Sequence, residues 1–327
     1  MNLKKLKILF LGNCADPRTK EGMPNVVTSK LRYHREIYKI LSELCEKVIG
    51  TNDAQDLFSK AGEFDYVFSL FNRMGFRSSE LYASAICEYL KIPYLGASPE
   101  VRGVAENKSL FKHIARSCGI DVANSATFYP GDKINKPDQL SAPYFVKPLS
   151  GGNSEWIRSS SYCEDWSAAH EEIEFLLSKN VPVLMEDFLE GINLTVPVLG
   201  GTKPQVLGVV EVPTIEPHNV LTSEEKLQDH GDMSFQIFDN DNVRKTITQH
   251  AELLNNSLRP IDYFRMDYRY NDGTEQLTIL EINVCCDISS FGSFAFAAQE
   301  KGLTQKDLVQ KILEISLSRQ QYSGGNE

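Results

Sequence analysis

The stretch Tyr263-Phe-Arg-Met-Asp-Tyr-Arg-Tyr-Asn-Asp-Gly-Thr-Glu-Gln-Leu-Thr-Ile-Leu-Glu-Ile-Asn-Val-Cys-Cys-Asp-Ile288 reads as two β-strands joined by a turn. Phe264 to Tyr270 alternates apolar or aromatic residues with polar ones, the period-2 pattern of a strand with one buried face. Asn271-Asp272-Gly273 marks a turn, because these residues tolerate positive φ. Leu277 to Asn283 is again rich in β-formers. Glu281 and Asn283 lie two apart and so point to one face, which sends Leu280, Ile282 and Val284 to the other, toward the core. Glu281 and Asn283 are hard oxygen donors. With Asp267 from the partner strand they form a Mg2+ site of the carboxylate-plus-phosphate kind. Directly opposed residues of an antiparallel pair share a face, so Asp267 meets Glu281 only across a loop with an odd number of residues. A tight Asp-Gly turn is therefore excluded, and a loop of roughly three to seven residues reaching into Thr274-Glu275-Gln276 is expected. Acids on a strand face are often merely solvated, so the metal reading needs support from the rest of the chain.

The chain has 327 residues, enough for two or three domains. Its net charge of −10 excludes a general nucleic-acid or anionic-membrane binder while allowing local basic clusters for phosphates. The seven cysteines are scattered, without CxxC or metal-ligand spacing, which fits a reducing cytoplasm. No apolar run approaches a membrane span, and the start lacks the apolar core of a signal peptide.

In chain order, Leu6 to Gly12 reads as a buried parallel strand, followed by a long loop and a helix from Lys30 to Glu46 with Ser29 as its cap. Strands at 47–50, 66–71 and 92–96 and a helix at 79–90 make the first hundred residues a doubly wound α/β layer. Ligands of such sheets sit beyond the carboxyl ends of the strands, which draws attention to 13–21 and 72–77. A helix from Asn107 to Cys118 ends at Gly119. Further strands are expected at 126–128, 144–148, 181–189, 194–199 and 206–212, with helices at 164–179, 242–258 and 305–317. The polar segment 213–235 is long for a loop and is a candidate active-site cover.

Several residues outside the hairpin suit phosphate chemistry. Lys147, in Phe145-Val-Lys-Pro148, is a lysine in an otherwise apolar strand and needs an anionic partner or a route for its head to solvent. Ser150-Gly-Gly-Asn-Ser154 is a flexible loop rich in N–H groups that can close over phosphates, although the Walker pattern GxxxxGK[ST] is absent. Lys108 lies at a helix start, where the dipole favours an anion. Glu186, where its strand ends, can read an adenine amino group alongside backbone groups. The pair Cys285-Cys286 reads as small buried hydrophobes rather than as a redox or thioester pair.

Taken together, N-K-S-L-F-K at 107, F-V-K-P-L-S-G-G at 145, V-L-M-E-D-F-L-E-G-I-N-L-T-V at 183 and F-R-M-D-Y-R…L-E-I-N at 264 resemble the ATP-grasp superfamily, and within it the D-alanine–D-alanine ligase branch. The resemblance runs from about Pro93 to Leu317. It implies an ATP-grasp α/β fold with an N-terminal doubly wound domain (1–100) and two α+β subdomains enclosing the nucleotide (101–187 and 188–320), with a disordered tail (321–327). It implies ATP and Mg2+ as cofactors, with Mn2+ as a substitute. Lys108 and Lys147 would contact phosphates, and Gly152, Asn153 and Ser154 would fold over them. Glu186, Phe188 and Leu189 would hold adenine, and Asn193 would take the ribose position. Asp267, Glu281 and Asn283 would bind magnesium. Arg265 would stabilise the transferring phosphoryl group, with Lys147 and Ser154 as further catalytic candidates.

The departures fall on the substrate side. Asn193 stands where the family usually has Glu. The first βα loop lacks the family's Ser-Glu pair, leaving Asp16 or Glu21 as substitutes. Asp287 stands where a glycine helps form the oxyanion hole, and Gly292, beside Ser293, stands where a serine would bind the acceptor carboxylate. The expectation is a cytoplasmic carboxylate–amine ligase, with an acyl-phosphate intermediate and small-molecule substrates other than two D-alanines. True D-alanine–D-alanine ligation is the alternative. A small-molecule kinase and a nucleotide-binding protein without turnover are readings from other classes. No nucleic-acid or membrane partner is expected, and a homodimer is allowed.

Overall fold

The computed structural model describes residues 3–24, 26–70, 79–152, 154–214, 217–220, 222 and 235–323. After a 3-10 turn at Leu3–Lys5 come β1 (Lys7–Leu11), α1 (Thr28–Leu44), β2 (Lys47–Thr51), α2 (Asp56–Ser59), β3 (Tyr66–Ser69) and α3 (Ser79–Leu90). The strands form a parallel sheet in the order β2-β1-β3, and Tyr94 adds a parallel bridge at Val67. β1 is apolar on both faces because both are covered. Ile8 and Phe10 pack with Ile37 and Leu41 of α1, while Leu9 and Leu11 pack with Leu57, Ala83 and Cys87. Ser29 does not cap α1: the helix begins one residue earlier, with Val27 in the cap position and no side-chain cap bond.

The sequence reading missed α4 (Pro99–Glu106), which opens on a proline, as first helical turns tolerate. Asn107 separates it from α5 (Lys108–Ser117) and caps α5, its side chain accepting from the N–H groups of Ser109 and Leu110. Gly119, at φ +75, ends α5 in the left-handed region.

The second sheet is antiparallel, built from β4 (Ser125–Phe128), β5 (Tyr144–Pro148), β6 (Tyr162–Cys163) and β7 (Val183–Asp187) in the order β4-β7-β5-β6. Ala169, Ile173 and Leu176 of α6 (Trp166–Ser178) cover it at Val146 and Met185.

The third sheet contains β8 (Ile192–Leu199), β9 (Gln205–Val206), β10 (Val210–Val212), β11 (Gln236–Ile237) and, after α7 (Asp241–Leu258), β12 (Tyr263–Asn271) and β13 (Gln276–Asn283). Its order is β11-β10-β8-β12-β13, with β9 also on β8; the expected strand at 206–212 is split in two. Ile247, Ala251 and Leu254 of α7 pack against Phe264, Met266 and Tyr268.

The chain continues through α8 (Ser293–Glu300), also unforeseen, and α9 (Gln305–Ser323). Leu308, Val309 and Ile312 of α9 join the cluster of Ile8, Phe10, Tyr66 and Phe68, so this helix completes the core of the first sheet. Tyr66 donates its hydroxyl proton to Ser316 Oγ at 2.6 Å. α9 is helical to Ser323, where a disordered tail from 321 was expected, and 324–327 lie outside the described residues. No helix among the described residues is long and apolar enough to cross a membrane.

Candidate active site

The alternation in β12 buries Phe264, Met266, Tyr268 and Tyr270 against α7 and turns Arg265, Asp267 and Arg269 to the opposite face. Asp267 lies opposite Glu281, and Arg265 opposite Asn283. The odd-numbered loop is not what brings them together. Asn271 pairs with Gln276, leaving an even loop, 272–275. The parity is restored by a β-bulge between the Asp267/Glu281 and Tyr268/Ile279 pairs, where Leu280 is the extra residue. Leu280 is accordingly half-buried, whereas Ile282 and Val284 enter the core as expected.

Asp267 is heavily bonded. Arg265 donates from Nε to Oδ1 (2.8 Å) and from Nη2 to Oδ2 (2.7 Å), a side-on fork. Thr195, opposite on β8, donates to Oδ1 at 2.6 Å. Asn283 Nδ2 donates to Asp267 Oδ2 at 2.9 Å and to Glu281 Oε1 at 3.4 Å. Burial works against the Arg265 charge, but Asp267 outweighs it and raises the guanidinium above its usual range.

The α5 start converges on the same place. Asn107 bridges to Ser150, and Lys108 N–H donates to Leu149 O, which ties the glycine loop to the helix. Lys108 Nζ donates to Gly151 O at 2.6 Å and lies 3.6 Å from Glu281 Oε2. Gly151 (φ +94) and Ser154 (φ +55) hold the loop in left-handed conformations. Gly152 is half-buried, and Asn153 lies outside the described residues.

Lys147 finds its anionic partner in Glu186, whose other oxygen lies 2.8 Å from Lys112 Nζ. Burial alone would raise the Glu186 pKa, but the two ammonium groups hold it down at about 2. Both Glu186 oxygens therefore face lysines, where a contact to adenine was expected. Phe188 N–H is also committed, to Pro143 O at 2.9 Å, and Leu189 O accepts from Arg269 Nε at 2.9 Å. Asn193 is engaged at both ends of its amide, Oδ1 accepting from Arg269 Nη1 and Nδ2 donating to Asn219 O, both at 2.8 Å. Arg269 further binds His218 O and Asn219 O. His218 stacks on Tyr162 of the second sheet at 4.0 Å, and Phe188 meets Tyr162 edge-on. Lys112 and Arg269 were missed by sequence reasoning. Arg269 was findable, two residues beyond Asp267 on the same face, and Lys112 likewise, one helical turn beyond Lys108.

On the proposed substrate side, the acids of the first βα loop serve their own turns. Arg18 grips Asp16 through both oxygens, and Thr28 donates to Glu21 at 2.8 Å. The loop after β13 is instead held by α1: Ile288 N–H donates to Tyr33 Oη (3.1 Å) and Ser290 N–H to Glu36 (3.2 Å). Asp287 is exposed, and its Oδ1 accepts from Ser289 N–H at 2.7 Å. Ser293 is the buried first residue of α8. Cys285 and Cys286 are buried and form no disulfide; burial pushes the Cys286 thiol well above its usual range, which argues against a thiolate role. Residues 72–77 and most of 213–235 lie outside the described residues.

The donor set fits a hard divalent cation. Asp267 and Glu281 are two carboxylates on one face with an amide between them, and phosphate oxygens would complete the shell. Among the described residues no three His, Cys, Asp or Glu side chains cluster; the third oxygen donor beside the two acids would be that of Asn283. Its amide now points nitrogen toward both acids; a cation between them would favour the flipped amide, with Oδ1 inward.

The family model described as "D-ala D-ala ligase C-terminus" matches residues 114–314, more than half of the chain. The D-alanine–D-alanine ligase of Aquifex aeolicus is 27% identical over 286 residues, covering 86% of this chain and 94% of that protein. That of Clostridium botulinum strain Okra is 25% identical over 289 residues, covering 86% and 92%. Among solved structures, D-alanine–D-alanine ligase from Bacillus anthracis complexed with ATP has a TM-score of 0.75 at 18% identity, over 98% of this chain and 100% of that one. The ligase from Coxiella burnetii has a TM-score of 0.71 at 17% identity, over 98% and 96%. A family match of this extent, on a shared fold, makes the chain a member of the D-alanine–D-alanine ligase family, ATP-grasp ligases that form C–N bonds with ATP and Mg2+.

Proposed function

We propose that this protein uses ATP to activate the carboxylate of one amino acid and joins it to the amine of a second, with D-alanine in both positions. The observation that carries the reading is the convergence of Asp267, Glu281 and Asn283 beside Arg265 and Lys108. The relatives favour D-alanine over the other substrates expected from the departures, since those named above are D-alanine–D-alanine ligases.

The substrate carboxylate attacks the γ-phosphate of ATP, giving an acyl phosphate and ADP, and the second amine then displaces phosphate from the carbonyl. Negative charge builds on the phosphoryl oxygens, and fixed cations aimed at it lower the barrier. Arg265 is suited to that task, since Asp267 holds its guanidinium rigid through a two-point contact. Lys108 and Lys147, both buried, exchange carboxylate partners for phosphates when nucleotide enters. Asp267, Glu281 and Asn283 would hold Mg2+, which would supply further neutralisation of the phosphates.

A second reading rests on Asp287. An exposed carboxylate in the loop leaving β13 disfavours an acceptor that carries its own carboxylate nearby. Purified protein supplied with Mg2+, ATP and a panel of amino acids and amines tests both readings by ADP release and product mass. D-Alanyl-D-alanine formation supports the first, and turnover only with other acceptors replaces it with the second. Arg265→Ala is expected to lower kcat by about 100-fold or more with the fold intact.

A further inference from the structure

We propose that Lys112 is a positioning residue for nucleotide binding: by taking one oxygen of Glu186, it leaves the buried Lys112–Glu186–Lys147 cluster with one net positive charge, presented to the triphosphate through Lys147. The inference deepens the ATP-dependent reading above and rests on it.

Around the hairpin face of Asp267 and the start of α5 the charges pair off until this cluster is reached; Arg269, farther along β12, bonds neutral carbonyl and amide oxygens instead. Arg265 is matched by Asp267, and Lys108 by Glu281. Glu186 lies between two ammonium groups, so among these described residues Arg265, Lys108, Lys112 and Lys147 exceed Asp267, Glu281 and Glu186 by one charge. Lys108 and Lys112 are one helical turn apart on α5 and share a face. One reaches an acid of the third sheet and the other an acid of the second, so α5 spans both walls of the cleft.

Lys112 is costly to keep. Its side chain is 2% exposed and that of Glu186 3%. The 2.8 Å contact is poorly aligned for a hydrogen bond, so it is mainly charge on charge. A methionine would fill the space without desolvating an ammonium, and replacing a buried ion pair with apolar residues is often neutral or stabilising. Glu186 already has Lys147 as a counter-ion and does not need a second for its own sake. What Lys112 adds is charge. Without it Lys147 and Glu186 cancel, and a lysine proposed to meet the phosphates is held by a full carboxylate.

The test measures affinity for ATP, ADP and AMP, each with Mg2+, by calorimetry without amino-acid substrate. Lys112→Met is expected to weaken ATP binding about tenfold, the order set by one unit charge at several ångströms in a partly screened cleft. The loss should shrink from ATP to ADP to AMP, whereas a distorted pocket weakens all three alike. Lys112→Arg should bind ATP within about threefold of wild type. Lys112→Met combined with Glu186→Gln restores the single net charge and should bind ATP more tightly than Lys112→Met alone. Unchanged ATP affinity in Lys112→Met, equal losses for all three nucleotides, or a double variant weaker than the single one would each overturn the inference. Should Lys112→Met fail to fold, Lys112→Gln, compared across the same nucleotides, decides it on the same criteria. Wild-type protein that binds no ATP would overturn the functional reading itself, a result distinct from all of these.

Discussion

His34 shows how one residue ties stability to pH. It is buried on α1, against Gly12, where an added Cβ would lie 2.9 Å from the imidazole. Its Nδ1 accepts from Cys14 N–H at 2.9 Å, so the proton sits on Nε2. Burial first, and the nearby Lys30 charge second, push its pKa down to about 4 from 6.5. Above pH 6.5 the imidazole is neutral in both folded and unfolded chains and pH has no effect through it. As pH falls below 6.5 the unfolded chain takes up the proton and the folded one does not, so stability drops until about pH 4. The full loss is on the order of 3 kcal/mol. Urea unfolding at pH 7 and pH 5 should show this slope, and His34→Gln should flatten it. Little of this was legible beforehand, because a histidine next to the apolar stripe of a helix says nothing about the glycine it will cover. Arg269 was hidden for a related reason. Three of its acceptors are main-chain carbonyls, at Leu189, His218 and Asn219, which leave no mark in the residue types.

At the scale of the element, the β12–β13 hairpin was readable in its purpose and not in its means. Alternation marked the strands and the shared face of Glu281 and Asn283, because a pleated strand makes period 2 unavoidable. The bulge was not readable, since Leu280 is as good a strand residue as its neighbours and nothing in its chemistry says it will be unpaired. Two deletions separate the face from the bulge. Removing Leu280 leaves Asp267 opposite Glu281 in a regular ladder and is expected to give a folded protein that retains Mg2+-dependent ATP turnover. Removing Ile282 turns Asn283 toward the core and is expected to abolish turnover. ADP release and thermal melting of the two variants check the pair. Lys108 and Lys147 were legible because a cation at a helix start or in an apolar strand demands an anion, whereas Lys112 was missed; that Glu186 would be the anion for Lys147 required the register of β5 on β7.

For the whole molecule, the chief surprise is the destination of α9. Its apolar stripe was plain in the sequence, but a stripe names no partner, and its partner is the sheet formed more than two hundred residues earlier. Arg319 anchors the far end, binding both oxygens of Asp262, whose carboxylate also accepts from Gly96 N–H at 2.7 Å. Arg319→Ala would leave that buried carboxylate without its cation and is expected to cost about 3 kcal/mol in urea unfolding. Arg319→Leu with Asp262→Asn should cost less, since no bare charge remains.

That destination bears on how the protein is made. A ribosome delivers β1, β2 and β3 first, yet Leu308, Val309 and Ile312 join Ile8, Phe10 and Phe68 only after more than two hundred further residues have been made. Until then α1 covers that face of the sheet only in part, and apolar surface left open in this way during synthesis is prone to aggregate and to be bound by chaperones.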